Sequence, residues 1–167
     1  VGISLGPGRF TGLRIGVTCA KTFAFAVGCP ITGIDTLQAI AEECPEELSE
    51  VTVIADAQRG DLYVGNYRNE GSQWIRQAPI TFHPAKEWIG SRSEAETVTG
   101  PALERWVGEF PVQCTLLVDH TVPEAKTICE IANRQLETGD TANIWGLEPY
   151  YLRKSSAEEQ WEHRNRK

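Results

Sequence analysis

A glycine-rich loop near the start of the chain has the composition and position of a phosphate-binding loop. The segment Gly6–Gly12 (GPGRFTG) lies between an apolar strand-like run and an apolar helix-like run, where backbone amides can bind anions. The dinucleotide fingerprint needs glycine where Thr11 stands, and the loop also lacks the Gly-Lys-Ser/Thr ending of a P-loop. It is therefore either an anion site, which Arg9 and Arg14 would strengthen, or a turn that needs positive φ.

Nucleophilic and acid–base catalysis have few candidates in this chain. Of the three histidines, His83 falls in a predicted loop and His163 in the charged tail, whereas His120 follows Asp119 at a predicted strand end. The Asp119–His120 pair is the best catalytic candidate, although a lone histidine at the edge of an element is more often structural. Ser4 lies in a GxSxG pattern, Gly2–Gly6, but inside the predicted strand 1–5, so no serine lies at the strand-to-helix turn of a nucleophile elbow.

The composition sets the broad class of the protein. The chain has 167 residues and a formal charge of −7, and this acidic balance argues against a large nucleic-acid footprint. The five cysteines form no CxxC pair, which favours reduced thiols and a cytoplasmic location over disulfides or a zinc site. Cys19 and Cys129 fall in predicted helices and are expected to be buried. We expect no apolar run of about 20 residues, the length of a membrane span.

The elements that must position these residues alternate between strands and helices. Apolar runs, turn residues and helix caps predict an α/β chain with a mixed sheet. An acidic linker at 45–50 separates two halves, and the second half opens with a three-stranded meander. The predicted strands cover residues 1–5, 31–34, 51–55, 61–68, 73–82, 96–99 and 114–118, and the predicted helices cover 13–27, 37–43, 84–89, 101–108 and 123–137.

The first predicted helix carries a ridge of small residues and is apolar on all sides. Gly12, Gly16, Ala20 and Ala24 recur at four-residue spacing, so another backbone could approach closely along that ridge. A helix that is apolar all round is either completely buried or covers both its own core and a partner. Few elements precede this helix, and we therefore favour a partner surface.

Four segments resemble motifs of the TsaB (YeaZ) family, in the same order. Gly6–Val17 is similar to the family's GPGSFTGLRIG signature, with Arg9 where the family usually has serine. Pro30–Leu37 resembles the strand–helix step that follows it, Asp56–Tyr63 the DAR-x-x-E-V-Y turn, and Glu148–Arg153 the C-terminal EPxYLR motif. The resemblance spans most of the chain.

This resemblance implies the actin-like ATPase (ASKHA) fold, which is built from two ribonuclease-H-like halves. Residues 1–50 would be the C-terminal part of the first half, 51–153 the complete second half, and 154–167 a charged tail. The first half would be partial, because its own meander and first helix are expected before Val1. The absence of methionine at position 1 agrees with that expectation.

Asp56 is a further candidate that the resemblance raises. In actin-like ATPases, acidic residues on the early strands of each half can hold magnesium, and Asp56 ends such a strand with Arg59 and Asp61 near it. A carboxylate that faces an arginine more often fixes a turn as an ion pair, which is the interpretation we favour. Tyr63 and Tyr67, on the strand that follows, are expected to be core or edge aromatics.

The resemblance also implies a function without chemistry of its own. TsaD, the catalytic paralogue, carries two metal-binding histidines at the positions that Thr36 and Ile40 take here, and neither side chain replaces an imidazole. We expect no metal and no cofactor, and a non-catalytic scaffold that supports threonylcarbamoyl transfer to adenosine 37 of tRNA. The alternatives are a glycoprotease-like hydrolase or peptidase and an ATP-binding enzyme of the actin-like fold.

The expected partners are a TsaD-like catalytic subunit and a TsaE-like ATPase, with a homodimer also possible. Contact with tRNA would be only indirect, and no membrane is expected. The predicted partner-binding residues lie on the signature loop and the helix that follows it: Arg9, Phe10, Thr11, Gly12, Leu13, Arg14, Gly16, Val17, Ala20, Lys21 and Ala24.

Overall fold

The computed structural model describes residues 1–71, 73–92, 95–152 and 161. The predicted charged tail, apart from Trp161, lies outside these residues, as does Arg153. The strands are β1 (Gly2–Gly6), β2 (Thr32–Asp35), β3 (Glu50–Asp56), β4 (Asp61–Asn69), β5 (Trp74–Arg76), β6 (Thr81–Pro84), β7 (Thr97–Thr99) and β8 (Thr115–Leu117). The helices are α1 (Phe10–Val27), α2 (Thr36–Ala41), α3 (Ala85–Gly90), α4 (Leu103–Trp106) and α5 (Ala125–Glu137).

The described strands form two sheets. In the first sheet, β1 and β2 run parallel, with Ser4 opposite Ile34. In the second, the strand order is β5-β4-β3-β7-β8, and β6 also pairs with β4. Strands β3 and β4 are antiparallel, whereas β3, β7 and β8 are parallel. The second sheet is thus the mixed sheet that the sequence predicts.

The meander at the start of the second sheet differs from its prediction at the third strand. The sequence predicts one strand over 73–82, but the structure has β5 and β6, which both pair with β4: Tyr67 lies opposite Arg76, and Tyr63 opposite Phe82. The segment between them contains Pro79, which has no N–H to donate to β4. The edge of the sheet is interrupted there.

The second sheet has a hydrophobic core on each face, because successive side chains of β3 point to opposite sides. Helices α3 and α4 cover one face, and α2 covers the other. The first core includes Ile54, Leu62, Trp88, Leu103 and Trp106. The second includes Leu37, Ile40, Val53, Tyr67 and Trp74.

The last part of the chain crosses back to the first sheet. Helix α5 packs so closely on β1 that a Cβ added to Gly2 would lie 2.7 Å from the Cβ of Ala132. Farther along, the Tyr150 amide donates to the Leu5 carbonyl at 2.8 Å. Residues that the sequence assigns to the second half, 51–153, therefore complete the core of the first sheet, and the predicted division of the chain stays a prediction.

Helix α1 is long and apolar enough to cross a membrane, judged by length and composition alone. It has 18 residues and a mean hydropathy of 1.2, and 11% of it is buried. The sequence predicts no apolar run close to the length of a membrane span, and α1 shows that this prediction is wrong. A single helix of this kind is weak support for a membrane span, because the core helix of a soluble protein has the same length and composition.

Candidate functional site

The glycine loop joins β1 to α1, and its first glycine is required by conformation. Gly6 has a φ of 106°, which favours glycine, and a Cβ added there would lie 2.9 Å from the Leu13 side chain. The Gly6 amide donates to Thr36 Oγ1 at 3.0 Å, and the Thr36 hydroxyl also bonds to Ser4 Oγ. Because the first amide of the loop is used within the chain, the turn interpretation is favoured at Gly6.

The two positions that correspond to the metal-binding histidines of TsaD do not fit a metal here. Ile40 is completely buried, in a hydrophobic core with Leu37 and Val53. Thr36 offers a hydroxyl that already bonds to Ser4 and the Gly6 amide, and neither side chain supplies a nitrogen or sulfur ligand. Across residues 1–71, 73–92, 95–152 and 161, no three His, Cys, Asp or Glu side chains are grouped to hold a metal ion.

Asp35, at the end of β2, forms a buried hydrogen-bond network. Its Oδ1 accepts from the Leu37 amide at 2.9 Å, and its Oδ2 accepts from Tyr67 Oη at 3.0 Å and from Arg76 Nη1 at 2.9 Å. Burial and the neighbouring Asp35 carboxylate raise the pKa of Tyr67 well above its usual value. The network ties β2 to β4 and β5. Sequence reasoning missed it, because Asp35 before α2 signals only a helix cap.

Asp56, at the end of β3, stabilises the turn that follows it. Its Oδ1 accepts from the Gln58 amide at 3.0 Å. Gln58, Arg59 and Gly60 then have φ values of 63°, 55° and 85°, a backbone that a side-chain bond of this kind supports. This geometry favours a turn-fixing role for the carboxylate over a magnesium ligand.

The Asp119–His120 pair follows β8 and lies against β7. The buried Thr99 donates from Oγ1 to the carbonyl oxygen of His120 at 2.6 Å and to that of Leu117 at 2.8 Å. These bonds fix the backbone of the segment to the second sheet and do not involve the His120 imidazole. His163 lies outside the described residues.

The cysteines differ from their predicted environments. Cys19 and Cys129 lie in α1 and α5, as predicted, but both are exposed, so the expectation that they are buried is wrong. Each falls on the helix face that points away from the first sheet. Cys44 is the buried thiol, and burial, together with the Glu43 carboxylate, raises its pKa to about 12.

Helix α1 packs on its own sheet with the side that the sequence assigns to a partner. Val17 and Ala24 are only 4% and 1% exposed, in a core with Leu5 and Leu147. Ala20 is half-buried against the same core. The small residues allow close packing within the chain, and the prediction that Val17 and Ala24 face a partner is wrong.

The eleven predicted partner-binding residues thus divide by exposure. Those at the start of α1 are free to reach a partner, whereas those farther along its ridge turn towards β1. The exposed residues are Arg9, Phe10, Thr11, Gly12 and Arg14, the half-buried ones are Leu13, Gly16, Ala20 and Lys21, and the buried ones are Val17 and Ala24.

The opposite side of α1 exposes large apolar side chains, which sequence reasoning did not assign to the interface. We call this surface the outer face of α1 and define it as Thr11, Ile15, Cys19, Thr22, Phe23 and Ala26. Ile15 and Phe23 are 60% and 59% exposed. A contiguous exposed apolar patch on a soluble domain marks an interaction surface, and the outer face of α1 is the candidate partner-binding site.

A sequence comparison places the chain among proteins of tRNA modification. The family described as "TsaD: tRNA N6-adenosine threonylcarbamoyltransferase" matches residues 1–115. The "tRNA threonylcarbamoyladenosine biosynthesis protein TsaB" of Bacillus subtilis is 27% identical over 95% of this chain and 71% of its own length. The protein of the same name from Escherichia coli is 29% identical over 91% of this chain and 69% of its own length.

Solved structures share the fold. "YeaZ from Pseudomonas aeruginosa" superposes with a TM-score of 0.75 at 23% identity, over 89% of this chain and 72% of that one. A second structure, "an uncharacterized protein with similarity to peptidase YEAZ from Pseudomonas aeruginosa", gives a TM-score of 0.75 at 22% identity, over 90% and 71% of the two chains.

These matches, the two sheets and the strand–loop–helix unit at the start of the chain define an α/β protein with the actin-like (ASKHA) fold. The chain belongs to the TsaD family and, within it, to the TsaB (YeaZ) proteins.

Proposed function

We propose that this protein is a non-catalytic subunit of a tRNA-modifying complex. It associates with a TsaD-like catalytic subunit and supports transfer of a threonylcarbamoyl group to adenosine 37 of tRNA. Its relatives from B. subtilis and E. coli are both described as threonylcarbamoyladenosine biosynthesis proteins, which supports the pathway. A cytoplasmic location and work alongside a TsaE-like ATPase belong to the same proposal.

The observation that carries the non-catalytic role is the burial of Ile40. In TsaD-like proteins this position and that of Thr36 would supply imidazole ligands, whereas here a branched alkyl side chain fills the core between α2 and β3. A metal at this place would need Ile40 both replaced and brought out of the core. The protein thus keeps the scaffold of the family while the catalytic centre belongs to its partner.

The outer face of α1 is the surface through which the partner would bind. Its exposed Ile15 and Phe23 would lose contact with water on association, at about 25 cal/mol per Å² of apolar area. The small-residue ridge on the other side holds α1 firmly on β1, so the helix presents this face as a rigid surface. A second copy of the chain could use the same face.

Association is tested by sedimentation of the full chain with a TsaD-like protein from the same organism. Ile15→Glu and Phe23→Glu are expected to weaken the complex at least about tenfold, because each buries a charge in an apolar contact. Val112→Glu is the matched control, since Val112 is fully exposed on a segment between α4 and β8. Unchanged association of both α1 variants, at native helix content, would contradict the interface.

The role itself is tested in a reconstituted reaction with tRNA, scored by mass spectrometry of its nucleosides. We expect threonylcarbamoyladenosine only when the TsaD-like subunit is present together with this chain. Peptide hydrolysis by the purified chain, lost in a His120→Ala variant, would instead support the hydrolase. Tight ATP binding by the chain alone would support the ATP-binding alternative.

A further inference from the structure

One flank of α1 carries two groups, each made of two exposed aromatic rings and one basic side chain of the helix. At the start of the helix, the Arg14 guanidinium lies 4.0 Å from the Phe10 ring centroid, and its Nε donates to Tyr151 Oη at 2.9 Å. The Phe10 and Tyr151 rings are 5.5 Å apart. Phe10 and Tyr151 are 42% and 44% exposed, so this group offers aromatic surface to the solvent.

The second group repeats this composition at the other end of α1. Lys21 Nζ donates to the carbonyl oxygens of Trp145 and Leu147 at 3.3 and 3.1 Å, and the Phe25 ring lies 5.5 Å from the Trp145 ring. Phe25 and Trp145 are 66% and 72% exposed.

The two groups lie in one row, which we call the aromatic flank of α1. Phe10 and Arg14 are four residues apart, as are Lys21 and Phe25, and an eleven-residue shift relates the two pairs. Eleven residues make three helical turns, so both pairs face the same way. With a rise of 1.5 Å per residue, the groups are separated by about 16 Å.

The charge of this region is opposite to that of the whole chain. No Asp or Glu occurs before Asp35, so the loop and α1 carry only the cations Arg9, Arg14 and Lys21. The neighbouring segment 141–152 adds one carboxylate, Glu148. A chain with a net charge of −7 therefore presents a cationic surface along the loop and α1, and the charge of this surface suits an anionic partner.

We propose that the aromatic flank of α1 binds single-stranded RNA, with bases stacked on the two aromatic groups and phosphates held by Arg9 and Arg14. Unpaired RNA bases stack on exposed aromatic rings and on guanidinium planes. Proteins that bind single strands combine spaced aromatic rings, which stack on the bases, with cations, which contact the phosphate backbone. This inference rests on the proposed function, in which tRNA is the substrate, and it gives the chain a direct RNA contact where the sequence predicts only an indirect one.

Fluorescence anisotropy with a labelled, unpaired oligoribonucleotide of about 15 nucleotides tests the site. The probe is titrated with the full chain, alone and in complex with the TsaD-like subunit. Tyr151→Ala and Trp145→Ala are each expected to weaken binding about 5- to 150-fold, the range for loss of one stacked base. Tyr151→Phe keeps the ring and is expected to bind like the unchanged chain.

Salt dependence and a matched control separate RNA contact from general damage. Arg14→Ala is expected to lower the slope of log K against log salt by about one. Phe82→Ala removes a ring on β6 that is 44% exposed, the same as Tyr151, and is expected to leave RNA affinity unchanged.

Unchanged RNA affinity of the Tyr151→Ala and Trp145→Ala variants would overturn the proposal, and so would an equal loss of affinity in Phe82→Ala. The proposal also fails if the Tyr151→Ala and Trp145→Ala variants lose association with the TsaD-like subunit but keep their RNA affinity, because the flank would then be a protein contact. Association of the chain with the TsaD-like subunit is measured by sedimentation without RNA. A failure of the proposed function is therefore distinguished from a failure of the RNA-binding proposal.

Discussion

Asp35 and Asp56 occupy similar local positions but differ in their surroundings. Each ends a strand and accepts a hydrogen bond from the amide two residues later. Asp35 is 6% exposed and also accepts bonds from Tyr67 and Arg76, whereas Asp56 is exposed. A buried donor that loses its acceptor is left without a hydrogen bond from either protein or water. Removing the Asp35 carboxylate would leave such donors, whereas removing the Asp56 carboxylate would not, so we expect Asp35 to contribute more to stability.

Asp35→Ala is expected to lower the free energy of unfolding by about 2–4 kcal/mol, because it leaves the Tyr67 hydroxyl and the Arg76 guanidinium without their acceptor. Asp56→Ala, which removes only the local bond, should cost about 0.5–1 kcal/mol. Urea denaturation of both variants gives the comparison. Equal losses would show that the network adds nothing to the local cap.

The sequence could predict that Asp35 caps a helix, but not its other partners. Tyr67 and Arg76 follow it by more than thirty residues, and only the pairing of β4 with β5 brings their side chains to one carboxylate. For the position of Ile40, by contrast, residue type alone is enough to predict that this side chain binds no metal, because an alkyl side chain has no ligand atom. A prediction that depends on atom type can be made from the sequence, whereas contacts between distant strands cannot be predicted in this way.

Helix α1 shows the same division at the scale of an element. Its existence and its end were predictable from an apolar run closed by Gly28, which adopts φ 69° as the C-cap. Its orientation was not, because a helix that is apolar all round has no polar face to mark the solvent side. The small residues fit close approach to any neighbour, and that neighbour is β1 of the same chain.

Cys19 and Cys129 provide a test of which face of α1 meets the partner. Both thiols are exposed, but Cys19 belongs to the outer face of α1, whereas Cys129 lies on α5. We expect iodoacetamide to label both in the isolated chain, and the TsaD-like subunit to slow labelling of Cys19 at least about tenfold while Cys129 reacts as before. Mass spectrometry of the peptides measures each rate.

The control in this experiment is internal, since both thiols belong to the same molecule. Slowed labelling of Cys129 with Cys19 unaffected would place the partner on the other side of the first sheet. Cys44, which is buried and has a pKa of about 12, should stay unlabelled at neutral pH because the thiolate is the reactive form.

At the scale of the whole molecule, α2 and the residues after it connect parts that are distant in the sequence. Glu42 follows α2 directly, and its Oε1 accepts from the Trp74 amide in β5 at 3.2 Å and from Arg134 Nη2 in α5 at 2.6 Å. The Glu42 side chain is 9% exposed. One carboxylate thus joins the second sheet to the helix that covers the first.

Glu42→Ala is expected to speed amide hydrogen exchange in both β5 and α5 and to lower the free energy of unfolding by about 2 kcal/mol, because it leaves the Arg134 guanidinium and the Trp74 amide without their acceptor. Glu50→Ala, which breaks the exposed pair with Arg68, should change it by at most about 0.5 kcal/mol. Faster exchange in only one of the two elements would argue against coupling of the sheets.

The return of the chain to its first sheet has a consequence for synthesis on the ribosome. Strands β1 and β2 and helix α1 emerge before the second sheet, but α5 and Leu147, which close their core, emerge 90 residues or more after the end of β2. Domains ordinarily fold as they leave the exit tunnel, N-terminal part first. Here the second sheet can condense while the earlier segment still exposes apolar side chains, so this protein should need chaperone protection until translation has passed Tyr150.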